Sequence, residues 1–289
     1  MTAPGPRIAV GNTAEVLAWG KNHVLKLYHP GYTSYDAERE ANLVQAVVEA
    51  GVQTPNAQES IEVEGRPGVI FERVEGRTML DVMQNDPSEF INYATLMAKL
   101  HKGLHQRTST MVPSFHTRLQ GKLQEPYWTR SNSLAQVESA ELQDYVELQP
   151  SFMPQILSVL SQLPSEQALC HGDFGPHNIL ITDNGPVIID WVDVTHGAPA
   201  ADVARSVTLM RYASLPPELG AEESQKFDRW RHNFVDAYLT HYLELTDMTE
   251  EEINSWLLTV AAGRLFHELI PEDERHTLRG VVRKGLQLS

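Results

Sequence analysis

Residues 171–178 read HGDFGPHN, and twelve residues beyond Asn178 the apolar run Val187, Ile188, Ile189 ends in Asp190. Between these points lie two short β-branched segments, 179–181 (Ile, Leu, Ile) and 187–189 (Val, Ile, Ile), separated by Thr182, Asp183, Asn184, Gly185 and Pro186. That pattern predicts a hairpin, because both runs favour strands and the residues between them favour a turn. A hairpin returns on itself, so Asn178 and Asp190 are expected side by side, each offering an oxygen of the kind a hard divalent cation takes. Asp173 lies five residues before Asn178 in a loop containing Gly172, Gly175 and Pro176. Its carboxylate is expected next to the metal without binding it, where it can orient or accept a proton. One acid, one amide and a second acid in this order are what phosphoryl transfer to a hydroxyl requires.

The order HisGlyAsp, four residues, Asn, then IleAspTrp resembles the aminoglycoside phosphotransferase and choline kinase family, relatives of the protein kinases. The resemblance implies a bilobal, protein kinase-like α+β fold, with a small antiparallel-sheet N-lobe carrying one helix and a larger, mostly helical C-lobe. It implies Asp173 as the catalytic residue and Asn178 and Asp190 as the magnesium ligands. The literal AspPheGly at 173–175 then sits in the catalytic loop, and the metal-binding role that protein kinases give to an AspPheGly aspartate passes to Asp190. Downstream, GAPAADVA at 197–204 resembles the segment that opens the next helix in this family, which implies that Asp202 tethers the catalytic loop through its backbone. Asp193, three residues after Asp190, matches a frequent acidic position; spacing leaves it open between a surface acid and a support of the metal site.

The N-terminal region reads as the other half of a nucleotide site. Segments 8–10, 15–19 and 23–28 are expected to be strands joined by turns at 11–14 and 20–22. Lys26 lies within the third, amid Val24, Leu25, Leu27 and Tyr28, and an embedded ammonium is costly unless an anion meets it. The resemblance implies that it contacts nucleotide phosphates and is positioned by a glutamate. A helix over 34–50 puts Ala37, Ala41, Val44 and Val48 on one stripe; Glu40 lies about 60° from its centre and Glu38 about 100°. Glu40 is therefore the expected partner of Lys26, in agreement with the family's ArgGlu pair, here Arg39 and Glu40. The turn GNTAE at 11–15 has a single glycine, yet its place ahead of Lys26 makes Asn12 and Thr13 candidate phosphate contacts. The strand 69–73 breaks at 74–77 before Thr78 caps a helix. The resemblance makes this break the hinge between lobes, with Glu72, Arg73 and Val74 the candidates for backbone recognition of adenine. The expected organisation is a nucleotide-binding lobe over 1–73, a hinge over 74–77 and a catalytic and substrate-binding lobe over 78–289.

The rest of the chain reads as mostly helical. Phe90, Ala94, Met97, His101 and Leu104 define an amphipathic helix over 88–106. Phe227, Trp230, Phe234 and Tyr238 mark another stripe, and Thr249 with Glu252 forms a capping box. The segment 107–150 is the least patterned. Twelve histidines show no zinc-binding helix signature; His101 and His105 read as structural, and His171 as a hydrogen-bonded support of the catalytic loop. Cys170, the single cysteine, excludes an intramolecular disulfide and reads as strand filler.

The formal charge of −15 argues against nucleic acid and favours a cationic acceptor; the acidic runs 250–252 and 272–274 are explained by helix starts and solvation. With no long apolar run and no charged-then-apolar start, a cytosolic protein without membrane association is expected. Eleven residues separate Asp190 from Asp202 and no AlaProGlu follows, which leaves little room for a peptide platform. The expected reaction is therefore transfer of the γ-phosphate of ATP or GTP, with Mg2+, to a hydroxyl of a small molecule: aminoglycoside-like, an amino alcohol or sugar-like. Two alternatives stand beside it: a nucleotide-binding pseudokinase acting through a partner, and a metallohydrolase with HisXxxAsp and His177 as ligands.

Overall fold

The computed structural model describes residues 3–124, 152–215, 219–267 and 270–287. Strands β1 (Pro4–Val10), β2 (Ala14–Trp19), β3 (His23–Tyr28), β4 (Ala57–Val63) and β5 (Arg66–Glu72) form an antiparallel sheet in the order β1-β2-β3-β5-β4. The first strand is longer than expected and exposed throughout, while β4 had no clear sequence signal because most of its residues are polar and exposed at a sheet edge. Period-two alternation sorts the central strand. Leu25 and Leu27 pack with Ile70 on one face, while Tyr28 packs with Ala14, Ala37 and Val69 on the other. Helix α1 (Ser34–Glu49) covers that second face. It starts at a capping box in which Asp36 accepts from the Thr33 backbone and hydroxyl, both at 2.8 Å.

Beyond residue 76 the chain turns helical, with β6 (Arg77–Thr78), α2 (Met79–Asn85), α3 (Phe90–His105) and α4 (Phe115–Gln124). Thr78 caps α2 by accepting from the Asp81 amide at 3.0 Å. Helix α4 falls in the segment that carried least pattern; its stripe Phe115, Leu119, Leu123 is buried but only one residue wide. The remainder of that segment, 125–150, lies outside the described residues.

The predicted hairpin is present as β8 (Ile179–Thr182) and β9 (Gly185–Ile188), following β7 (Ala168–Cys170). Its turn is tighter than expected, with only Asp183 and Asn184 between the strands and Pro186 inside β9. Thr182 explains this locally: its hydroxyl donates to the Gly185 carbonyl at 2.7 Å and accepts from the Asn184 amide at 3.1 Å. Strand β10 (Thr195–Gly197) pairs with β7 and leads into the helix Pro199–Tyr212. Helices Ala221–Leu245, Glu250–Ser255, Leu257–His267 and Glu272–Gly285 complete a core built around Trp191, Trp256, Tyr238, Tyr242, Phe174 and Phe234.

One expectation fails here. Glu274 is not a solvated helix-start acid: it is buried, pairs with Arg264 and accepts from the Ser214 amide at 3.0 Å. A charge run at a helix start predicts dipole compensation, but burial of that helix against its neighbour turned one of the three acids inward. No helix among the described residues is long and apolar enough to cross a membrane.

Candidate active site

The alternation that buries Leu25 and Leu27 on one face of β3 leaves Lys26 and Tyr28 facing α1. Lys26 Nζ donates to Glu40 Oε1 at 2.7 Å and to Asp190 Oδ1 at 2.9 Å. Burial alone would lower the lysine pKa; Glu40 and Asp190 outweigh it and hold the ammonium above its ordinary range. Glu40 is buried, whereas Glu38 is exposed, as the helical stripe predicted. The second oxygen of Glu40 accepts from the Tyr28 hydroxyl. Burial, reinforced by Glu40, pushes the Tyr28 phenol well above its usual value and keeps it a donor.

The hairpin ends converge. Ile179 pairs with Ile188, and the Ile189 amide donates to the Asn178 carbonyl at 3.0 Å, so Asp190 follows directly. Asp190 has a φ of 66°, the left-handed region that aspartate tolerates better than most residues. The Asn178 amide nitrogen donates to the Asp173 carbonyl at 2.9 Å and to its carboxylate at 3.0 Å. Glu40, Lys26 and Asp190 thus form one connected chain, and Asn178 with Asp173 forms a second at the adjoining end of the hairpin. Asn178 and Asp190 supply only oxygen donors toward a cation, and Asp190 is 37% exposed, so this donor set fits a hard divalent ion. His177 Nε2 lies 3.4 Å from Asp173 Oδ2; burial would lower its pKa, but Asp173 raises it above the ordinary value.

The loop is clamped from below by Asp202. Its fully buried carboxylate accepts from the amides of His171 at 2.6 Å and Gly172 at 2.8 Å, and from His101 Nε2 at 3.0 Å and His105 Nε2 at 3.3 Å. Burial pushes its pKa up, yet the imidazole hydrogen bonds outweigh burial and hold it well below the usual range. Burial and the neighbouring His105 lower His101 to about 3, so its ring is neutral. A carboxylate accepts only, so Nε2 donates to it and Nδ1 accepts from the Tyr238 hydroxyl at 2.6 Å; His105 Nδ1 meets Tyr242 at 2.7 Å in the same way. The three potential ligand atoms of this cluster lie within 4.8 Å of one another, a spacing that hydrogen bonding to a shared carboxylate accounts for. His171 is likewise occupied: Nε2 donates to the Ile189 carbonyl at 3.0 Å and Nδ1 accepts from the Asp173 amide at 3.2 Å. Both nitrogens of His171 are thus engaged within the loop, which speaks against the metallohydrolase alternative.

Several partners were not legible in the sequence. Tyr28 read only as the apolar end of a strand. Trp191 Nε1 donates to Thr54 Oγ1 at 2.9 Å, and Arg39 Nη2 donates to the Val192 carbonyl at 3.2 Å, tying the residues after Asp190 to α1 and the loop that follows it. Asp193 is neither a free surface acid nor near Asp173 by hydrogen bond; it pairs with Arg118 and lies 3.8 Å from Lys122 Nζ. Asn12 and Thr13 lie in the exposed turn between β1 and β2, outside the Lys26 network; the Thr13 carbonyl accepts from the His29 amide at 2.8 Å. Of the hinge candidates, the Glu72 and Arg73 amides already donate to Asn56 and Asn22 carbonyls at 3.1 and 2.9 Å, while Val74 has no such bond among the described residues.

The model of the phosphotransferase enzyme family matches residues 7–250. The chain belongs to this family. The phosphotransferase is similar in fold to a thermostable mutant of the aminoglycoside phosphotransferase APH(4)-Ia, solved as a ternary complex with AMP-PNP and hygromycin B, at 14% identity, with 99% of this chain and 94% of that one covered and a TM-score of 0.62. It is also similar to an amicoumacin kinase in complex with AMP-PNP, Ca2+ and Ami (14% identity, 96% and 87% covered, TM-score 0.58). A choline/ethanolamine kinase family protein from Mesorhizobium loti follows at 16% identity, 98% and 81% covered, TM-score 0.52. No curated protein matches the chain at a significant level. The phosphotransferase therefore has the α+β, kinase-like architecture that the 171–204 motifs implied.

Proposed function

We propose that this phosphotransferase moves the γ-phosphate of ATP, or of GTP, to a hydroxyl of a small molecule. The observation that carries the reading is the convergence, from four separate chain segments, of Lys26, Glu40, Asp173, Asn178 and Asp190 into the two adjoining hydrogen-bonded chains. The nucleotide would lie between residues 1–73 and 78–289, with adenine against the 74–77 hinge at Val74 and phosphates toward Lys26 and the turn at Asn12 and Thr13. Asn178 and Asp190 would hold a divalent cation, taken to be magnesium, whose chemistry is to neutralise charge on the phosphates. Lys26, kept charged and anchored on Glu40, supplies a fixed cation. Asp173 aligns the acceptor hydroxyl and takes its proton, while Asp202 and His171 hold the loop in the geometry that alignment demands.

A small acceptor is supported by the short path after Asp190, where β10 returns to pair with β7 within seven residues and offers no extended platform for a peptide. The net charge of −15 adds a bias toward acceptors with cationic groups, as expected of long-range steering. Retention of every charged member of the site speaks against the pseudokinase alternative.

Two substitutions test the reading. Asp173→Asn should reduce turnover by at least about a hundredfold, the scale of a lost general base, while nucleotide affinity stays within about twofold. Asp190→Ala should abolish the magnesium dependence of nucleotide binding, measured by titration with AMP-PNP with and without the metal. Unchanged metal-dependent binding in that variant would contradict the assignment.

A further inference from the structure

A small recess of about 30 Å³ opens beside the Asp173 loop, lined on its polar side by Arg118, Lys122, Gly172, Asp193, Thr195 and Arg205 and closed by apolar side chains of α4 and the helix Leu257–His267. Its lining holds three cationic side chains and one carboxylate, the reverse of the whole-chain balance of 23 basic to 38 acidic residues. The cations are placed by different elements: Arg118 and Lys122 sit one turn apart on α4, and Arg205 sits on the helix that carries Asp202, its Nε donating to the Gly172 carbonyl at 3.2 Å. A fourth cation approaches from α1, since Arg39 and Arg118 both donate to the Val192 carbonyl, at 3.2 and 3.1 Å. Crowding of like charge has a visible consequence. After burial, the proximity of Arg118 is the next cause lowering the Arg39 pKa, and Asp193 is held well below its usual value by Lys122, Arg118 and Arg205 despite its partial burial.

A second observation is independent of charge. Thr195 lines the same recess and is 1% exposed, yet its hydroxyl has no hydrogen-bond partner among the described residues. Leaving a buried hydroxyl without a partner is costly, so a group that accepts from it is a natural occupant. Cations on two walls and an unsatisfied donor on a third are the chemistry of anion recognition. Gly172, in the lining, directly precedes Asp173 in the chain, which puts the recess within reach of an acceptor whose hydroxyl meets Asp173.

We propose that this recess is the subsite for an anionic group of the acceptor, a carboxylate or a phosphate ester, held by Arg118, Lys122 and Arg205 with Thr195 donating. The inference rests on the phosphotransfer reading and narrows it, from any small hydroxyl compound to one that carries negative charge at the end that enters the recess. A cationic group elsewhere on the same molecule is compatible with the acidic remainder of the surface.

The test is calorimetric titration of the intact protein, saturated with AMP-PNP and magnesium so that the nucleotide phosphates occupy their own site, with inorganic phosphate and, in parallel, acetate. One equivalent of phosphate or acetate should bind to the wild type; which of the two binds tells a phosphate ester from a carboxylate. Lys122→Gln and Thr195→Val should each weaken that binding at least fivefold, with AMP-PNP affinity unchanged. Absence of binding of both anions, or equal binding by wild type and both variants, would overturn the subsite. Failure of AMP-PNP to bind counts instead against the nucleotide reading; the subsite is then judged by the same titrations without nucleotide.

Discussion

Among single residues, Tyr28 shows how a site depends on a partner that carries no motif. Lys26 is useful to a nucleotide only if its ammonium is aimed, and Glu40 does the aiming with one oxygen while Tyr28 holds the other. Tyr28→Phe preserves the packed ring and removes one hydrogen bond to a buried carboxylate, a loss of roughly 1–3 kcal/mol. The expected result is a several-fold to tenfold rise in KM for the nucleotide, with a smaller change in kcat and a lowered Tm. Steady-state kinetics and thermal denaturation together check it; a KM equal to that of the wild type would show that Glu40 needs no second anchor. The sequence pattern separated Glu40 from Glu38 because helical periodicity is local. It was silent on Tyr28 because alternation tells which face a side chain takes, not what its hydroxyl meets there.

At the level of elements, the 171–178 loop is held by other segments more than by its own turns. Gly172 has a φ of +82°, and a Cβ there would stand 2.4 Å from the Asp193 carbonyl oxygen, so conformation and space both demand glycine. Gly172→Ala should destabilise the protein by about 1–3 kcal/mol from backbone strain alone, with the clash adding to it. Because the displaced residues are Asp173 and Asp193, activity should fall by more than the loss of folded protein explains. Urea denaturation alongside kcat measured well below the unfolding transition separates the two effects. The hairpin ends were legible because strand pairing over ten residues is set by short-range pattern and turn chemistry. Helix α4 and strand β4 were not, since a one-residue-wide stripe and a polar edge strand carry too few apolar positions to show a period.

For the whole molecule, the Asp202 cluster links the catalytic loop to global stability. His101 is held to about 3, below the ordinary value near 6.5 that it regains on unfolding. The unfolded chain therefore binds a proton that the native chain refuses, and stability is fully present above about pH 6.5 and lost as pH falls toward 3. Over that window the effect reaches at most about 5 kcal/mol, comparable with the whole stability of an ordinary domain. Asp202, whose pKa is also lowered, adds loss in the same direction below its unfolded value near 3.9. Chemical denaturation between pH 7 and 4.5 should show stability declining from about pH 6, earlier than carboxylates alone would cause, and His101→Gln should flatten that decline.

What the chain's linear order determined is the set of local devices: a hairpin whose ends must meet, a strand that sends Lys26 toward a helix, and a helix that turns Glu40 inward. Each follows from a period of two or 3.6 residues and from turn chemistry acting over a dozen positions. Tertiary structure alone decided that Lys26 also reaches Asp190 across 164 residues, that both histidines of α3 share Asp202, and that Arg39, Arg118, Lys122 and Arg205 crowd around Asp193 and its neighbour Val192. Charges attract at any sequence separation, so which of them meet is settled only when buried apolar faces have fixed the distances between their elements.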